Sequence, residues 1–364
     1  TITPYILLLL FISKTTNSLS PQSSNSISND GDGIYNDNAN IQIGTLSTSP
    51  ISIGTLNLNQ QTPLYDMLMK CCPSGTLIDT AEAYEVRDGN GLKAESRIGD
   101  VLFDIRKTNP EKQFYIASKF APQLYRSGAK SVLNACCESC ERLGVDRIDL
   151  YQIHYPDTVA PIKVVKGITH KKDEKYWDGL ADAYHEGLIS NVGVCNYGPS
   201  MVRRAHAALL ARDVPLVSNQ INFNLMRYRS SIETKVACDL LGVRILGYHP
   251  VAKGALTGAY QLERPDTLPE SPSKRYRMRW YLKRNEPLVD ALQDVGTKRG
   301  KTMAQVAINW SICKGVLPIV GVKDLAQTEE NFGAIGWSLT GDEVRMLDEA
   351  SDRSCEFERG FVLE

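Results

Sequence analysis

Eight short β-rich runs recur along this sequence, and longer stretches with helical periodicity separate them. The runs are Ile51–Leu56, Gly75–Ile78, Phe114–Ser118, Asp149–His154, Ser190–Val194, Leu216–Gln220, Val243–Tyr248 and Val316–Val320. Amphipathic stretches such as Lys130–Leu143, Tyr176–Glu186, Ser200–Ala211, Ser231–Leu241, Leu288–Arg299 and Met303–Lys314 lie between them. Parallel strands need a crossover long enough for a helix, so this alternation dictates a parallel sheet. A chain of 364 residues allows two modest domains or one large barrel. Eight strand–helix units select the barrel, a (β/α)8 TIM barrel in a single domain, over an open sheet.

The first forty residues belong to no such unit. Tyr5 to Ile12 is an unbroken apolar run, too short to span a membrane and of the length of a signal-peptide core. A tract rich in Ser, Thr and Asn follows, then Asp30, Asp32 and Asp37, with too little apolar content to order itself. Residues 1–40 are therefore expected to be a disordered targeting leader and residues 41–364 the barrel. A signal-like start before a Ser-rich tract suits entry into a plastid (chloroplast), with a cytoplasmic location as the alternative. Ile43-Gly-Thr-Leu46 recurs as Ile53-Gly-Thr-Leu56, an echo that a hairpin explains.

Composition excludes several functions. Lys+Arg total 41 and Asp+Glu 42, so the net charge is -1. That balance argues against a nucleic-acid-binding surface, against a polybasic membrane adsorber and, with no long apolar run, against an integral membrane span. The nine cysteines are odd in number and partly adjacent, unlike a secreted disulfide framework. Cys137 and Cys140 form a C-x-x-C inside the helical pattern Ala129 to Leu143, where small residues on a helix face explain them. No second cysteine pair or His pair stands at zinc-ligand spacing, so no metal site is expected. Neither G-x-G-x-x-G after an early strand nor G-x-x-x-x-G-K-[ST] is present.

Active sites of this fold lie where strands end at the C-terminal face. The second strand runs into Asp79-Thr-Ala-Glu-Ala-Tyr84, the third into Ser118-Lys119 and the fourth into Gln152-Ile-His154. Asp79, Tyr84, Lys119 and His154 should then converge on one mouth. An ammonium beside a phenol favours phenolate and is expected to lower the tyrosine pKa; Asp79 would hold the lysine charged, and His154 would orient a carbonyl oxygen. The set suits proton donation to a developing alkoxide, and the complementary half of such a reaction is hydride delivery from a nicotinamide cofactor.

These residues carry a resemblance. Over roughly residues 42–350 the sequence resembles the aldo-keto reductase superfamily. The matching stretches are Asp79–Tyr84, Ser118-Lys119, Arg142–His154, Gly193-Val-Cys-Asn-Tyr197, Asn219-Gln220, Tyr248–Gly254, Pro318–Lys323 and Gln327–Asn331. The runs Phe332–Leu339 and Ser218–Asn222 look most like plant and algal plastid-type members. The resemblance implies NADPH-dependent reduction of a small-molecule aldehyde or ketone, with Tyr84 as proton donor in a tetrad with Asp79, Lys119 and His154. It implies that Cys195 (where the family usually has Ser), Asn196 and Gln220 hold the nicotinamide carboxamide. Tyr248 would stack on the ring, and the segment His249, Pro250, Val251 to Gly254 would follow the pyrophosphate. Lys323 and Gln327 would meet the adenosine 2′-phosphate, with Gln327 where Arg is frequent, Glu330 and Asn331 would meet the adenine, and Gly321 would be a further cofactor-binding position. The family's Trp-Gly is missing from the loop Asn57–Gln61. The basic segment Lys274-Arg-Tyr-Arg-Met-Arg279 reads as a loop, either solvated or folded over the cofactor, and the long loop Pro156 to Tyr176 carries Lys163, Lys166, Lys171 and Lys172. Two other activities suit the same tetrad, namely oxidation of a sugar or lactol, and a low-turnover NADPH-binding regulatory barrel.

Overall fold

The computed structural model describes residues 40–123, 125–157 and 171–354. The expected leader, apart from Asn40, and Lys163 and Lys166 lie outside the described residues. Two short strands, β1 (Ile41–Ile43) and β2 (Leu46–Thr48), precede eight more: β3 (Ser52–Gly54), β4 (Thr76–Asp79), β5 (Phe114–Phe120), β6 (Leu150–Ile153), β7 (Val192–Cys195), β8 (Leu216–Asn222), β9 (Arg244–Tyr248) and β10 (Leu317–Gly321). These eight pair in parallel in sequence order, and β10 closes onto β3, so the expected (β/α)8 barrel is what forms.

The helices are α1 (Leu64–Lys70), α2 (Ala94–Thr108), α3 (Ala129–Leu143), α4 (Lys171–His185), α5 (Pro199–Leu210), α6 (Tyr228–Leu240), α7 (Pro272–Arg284), α8 (Glu286–Arg299), α9 (Met303–Cys313), α10 (Leu325–Phe332) and α11 (Gly341–Asp352). Their ends have local causes. Thr302 with Gln305, and Thr340 with Glu343, form capping boxes that start α9 and α11. Gly144 and Gly300, both left-handed, end α3 and α8. Among the described residues no helix is long and apolar enough to cross a membrane.

The β1–β2 hairpin seals the N-terminal end of the barrel. Ile43 and Leu46 pack in one cluster with the inward residues Leu77, Ala117, Leu150, Val217, Leu246, Leu317 and Ile319. Thr45 donates its amide to Asn191 Oδ1 at 2.9 Å. Gly44 turns with φ 55°, and a Cβ there would sit 2.1 Å from that same oxygen, so only glycine fits the turn. The repeated Ile-Gly-Thr-Leu motif is thus not one hairpin. Its first copy is the turn of the plug, and its second is the barrel strand β3 and the exit from it. Burying apolar groups at this end leaves the opposite mouth for polar ones.

Outside the barrel wall, Glu95 is fully buried and joins three elements. Its carboxylate accepts Ser118 Oγ at 2.5 Å and Arg142 Nε at 2.7 Å, tying α2 to β5 and α3. On α3 Cys140 is buried and Cys137 exposed, so the C-x-x-C is split between the core and solvent faces of one helix.

Candidate active site

The ends of three successive strands, β4, β5 and β6, bring Asp79, Tyr84, Lys119 and His154 together. Lys119 is fully buried; its ammonium donates to Asp79 Oδ2 at 2.8 Å, to the Thr80 carbonyl at 2.7 Å and to Tyr84 Oη at 3.4 Å. It also lies 4.8 Å from the centre of the Tyr84 ring. Tyr84 Oη is 3.5 Å from His154 Nε2, with the rings edge-on. The local chain explains the convergence. The β4–β5 register pairs Asp79 with Ala117, so Asp79 and Lys119 stand two residues apart on neighbouring strands and point inward together. A tight turn from Ala81 O to Tyr84 N then hooks the phenol back over the lysine.

Electrostatics set the proton positions. Burial opposes the charge on Lys119, yet the charge and hydrogen bond of Asp79, together with Tyr84 and Cys195, outweigh it and lift the ammonium above its ordinary value. His154 is lowered to about 3 by burial and by the Lys119 charge, so its imidazole is neutral at physiological pH. For Tyr84 the outcome differs from the sequence expectation. Burial and the Asp79 charge push the phenol up and exceed the opposing pull of Lys119. Tyr84 therefore carries its proton at rest, and Lys119 only limits a rise that burial would make larger.

The residues expected at the nicotinamide lie on the same mouth. Gln220, near the end of β8, donates Nε2 to Asp79 Oδ1 at 2.7 Å, linking this group directly to the lysine pair. Asn196 is engaged at both ends, donating to His154 O at 3.1 Å and accepting from Tyr248 Oη at 2.9 Å. Cys195 is buried, its thiol pushed up by burial and pointed at Gln152 Oε1 at 3.5 Å. Non-glycine residues with positive φ cluster on these exits: Asn196 at 61°, His249 at 55°, Ala252 at 47° and Lys253 at 58°. Such conformations cost of order 1–3 kcal/mol each and gather where a backbone must take a required shape. Asn196 follows β7, while His249, Ala252 and Lys253 lie on the segment after β9 that also contains Pro250, Val251 and Gly254.

At the end of β10, Gly321 is exposed and a Cβ there would meet nothing within 4 Å. Lys323 is exposed and, among the described residues, makes no ion pair. Asp324 caps α10 by accepting from Gln327 N at 2.8 Å. Gln327 Oε1 is buried with no partner, Glu330 is half-buried, and Asn331 reaches back to Gly321 O at 3.3 Å. The arrangement fits a dinucleotide phosphate. An open glycine, an exposed cation and a helix N-terminus follow one another along the chain, though the Asp324 carboxylate offsets part of the charge. The Gln220 carbonyl oxygen, its amide nitrogen already spent on Asp79, remains to accept from a carboxamide.

Segment 274–279 is not a loop. It lies within α7, where Met278 and Leu282 pack into the core and Lys274, Arg279, Lys283 and Arg284 face outward.

Comparison with known proteins accords with this geometry. The model of the aldo/keto reductase family matches residues 40–352. The chain belongs to the aldo/keto reductase family. Its members are NADP(H)-dependent oxidoreductases, and the chain is one of them. It is 36% identical over 328 residues to a chloroplastic pyridoxal reductase of Arabidopsis thaliana, covering 86% of each chain. It is 29% identical to an NADP(+)-named aldo-keto reductase of Schizosaccharomyces pombe, over 68% of this chain and 73% of that one. Among solved structures, a Bombyx mori aldo-keto reductase in complex with NADP aligns with TM-score 0.60 at 20% identity, covering 85% of this chain and 92% of that one. The aldose reductase of Schistosoma japonicum aligns with TM-score 0.61 at 19% identity, over 89% and 94% of the two chains, a likeness of fold.

Sequence reasoning does not single out Gln152, which is buried inside the barrel beneath Cys195, or Glu82, which anchors the loop bearing Tyr84. Gln152 follows an inward position by strand alternation, and that parity is the signal that locates it. For Glu82 no periodic signal exists, because it lies in an irregular turn.

Proposed function

We propose that the protein reduces an aldehyde or ketone to the alcohol, with Tyr84 giving the proton. NADPH, when bound, supplies the hydride to the carbonyl carbon. Cys195, Asn196, Gln220 and Tyr248 would hold its nicotinamide, the backbone from His249 to Gly254 its pyrophosphate, and Gly321, Lys323, Gln327, Glu330 and Asn331 its adenosine half.

The observation that carries this reading is a protonated phenol held between an ammonium at 3.4 Å and a neutral imidazole at 3.5 Å. The carbonyl oxygen belongs beside Tyr84 Oη and His154 Nε2, and the neutral imidazole donates to it without competing for the proton. As negative charge grows on that oxygen, Tyr84 releases its proton and becomes phenolate. Lys119 stabilises the phenolate, and Asp79 keeps Lys119 charged throughout. Stabilisation by such pre-placed groups is strongest in a water-poor site, and Lys119 is wholly buried. The raised phenol pKa favours reduction over lactol oxidation at neutral pH, because oxidation needs the phenolate at rest.

The Arabidopsis relative makes pyridoxal a substrate to test here, and its chloroplastic name supports a plastid location. The test is NADPH consumption against aldehydes, ketones, quinones and pyridoxal. Turnover with at least one carbonyl, lost in Tyr84→Phe, supports the reading. Tight NADPH binding with negligible turnover across the panel points instead to a regulatory barrel.

A further inference from the structure

The loop that carries Tyr84 needs an anchor. Asp79 and Thr80 are held by the β4–β5 ladder, with Thr80 N donating to Ala117 O at 2.8 Å, but the next four residues leave the sheet. Within that hook Glu82 is only 8% exposed. Its Oε1 accepts the amide of Ala121 at 2.6 Å, just past the end of β5 and two residues beyond Lys119. The same oxygen accepts from Arg126.

Arg126 extends the tie. Its guanidinium lies 5.0 Å from the centre of the Phe120 ring. Its carbonyl accepts from Tyr176 Oη at 2.9 Å and from Lys172 Nζ at 3.3 Å, both on α4. On the other side, His154 N donates to Phe120 O at 2.8 Å, and Tyr155 Oη donates to Pro122 O at 2.9 Å. The exit of β5 is therefore the shared footing of all three groups around the reacting oxygen. Lys119 is on it, His154 is bonded to it by backbone, and Tyr84 is joined to it through Glu82.

We propose that Glu82 is a positioning residue for the proton-transfer step, fixing the depth at which Tyr84 meets Lys119 and His154, with Arg126 as its counter-ion. Burying a carboxylate at this position is costly unless it is paired and hydrogen-bonded. Glu82 is both, and the two bonds it makes run to the segment whose placement sets the 3.4 Å contact between Lys119 and Tyr84. Both distances at the phenol are long for hydrogen bonds, so a further shift separates the proton from its partners rather than compressing them.

The inference rests on the carbonyl-reductase reading, and the experiment separates the two. Glu82→Ala, Glu82→Gln and Arg126→Met are compared with the parent enzyme on one carbonyl. The readouts are kcat, KM, NADPH dissociation constant, the pH profile of kcat and the kinetic isotope effect with deuterated NADPH. Displacing Tyr84 by about 1 Å should lower kcat by roughly 100-fold in Glu82→Ala and raise the isotope effect, with NADPH affinity unchanged. Glu82→Gln keeps an oxygen for the Ala121 amide and should recover most of kcat. Arg126→Met should fall between them. A partly unfolded sample would lower kcat in proportion to active protein and leave the isotope effect and the pH profile alone. Glu82→Ala with kcat within about threefold of the parent overturns the proposal, as does a loss that Glu82→Gln fails to recover. If Glu82→Ala does not fold, Arg126→Met decides, and a normal isotope effect there overturns it. A parent enzyme inactive on every carbonyl would defeat the functional reading instead.

Discussion

Lys119→Met removes the one full positive charge at the centre of the site while keeping the length of the side chain. At 3.4 Å from Tyr84 Oη, and with an effective dielectric of about 20, a unit charge shifts the phenol–phenolate balance by about 5 kcal/mol. A transition state with the proton half transferred feels about half of that, which is a fall in kcat of roughly 70-fold. Loss of the bond that holds the phenol in place adds to this. Stability falls too, because Asp79 is left buried without its counter-charge, and breaking a buried pair costs about 3–5 kcal/mol. Asp79 retains the Gln220 bond at 2.7 Å, which places the cost near the lower end, about 3 kcal/mol. The assay is steady-state NADPH consumption beside NADPH binding by fluorescence and a urea titration. Adding Asp79→Asn to Lys119→Met removes the stranded charge. The double variant should regain stability and stay inactive. Lys119→Met with more than half the parent kcat would refute the electrostatic role, and a double variant no more stable than the single would refute the account of the buried pair.

Three further outcomes follow from the same geometry. His154 is lowered to about 3, so the unfolded chain binds its proton first; stability should fall as pH drops from about 6.5 towards 3, and His154→Asn should flatten that part of the pH–stability curve measured by urea unfolding. Lys323→Met should weaken NADPH by roughly tenfold, about 1.5 kcal/mol for a charge-assisted bond, and leave NADH unchanged in parallel binding titrations. Cys195→Ser restores a stronger donor at the end of β7 and should tighten NADPH by roughly 2–5-fold, read in the same titration.

Much of this was legible because the barrel repeats one pattern. Val192, Val194, Ile116 and Ile153 stand in short apolar runs between helical stretches, and eight such units match the strand count of a closed parallel barrel. The mouth residues were legible for the same reason, since strand ends can be counted. What was hidden depends on contacts distant in sequence. The plug formed by Ile43 and Leu46 is seen only when the far ends of six strands meet it. The direction of the Tyr84 shift needed the depth of burial, which opposes the charge of Lys119, and residue types alone do not weigh one against the other. The run Lys274–Arg279 reads as a loop because its six residues are mostly charged, yet Met278 and Leu282, four apart, anchor a helix.

The most direct test is Tyr84→Phe under single-turnover conditions, with NADPH preloaded and a carbonyl substrate added. The account predicts NADPH affinity within about twofold of the parent and a rate of carbonyl reduction lower by about 100-fold or more, the range of general-acid catalysis. A Tyr84→Phe enzyme that reduces the carbonyl at the parent rate would contradict it.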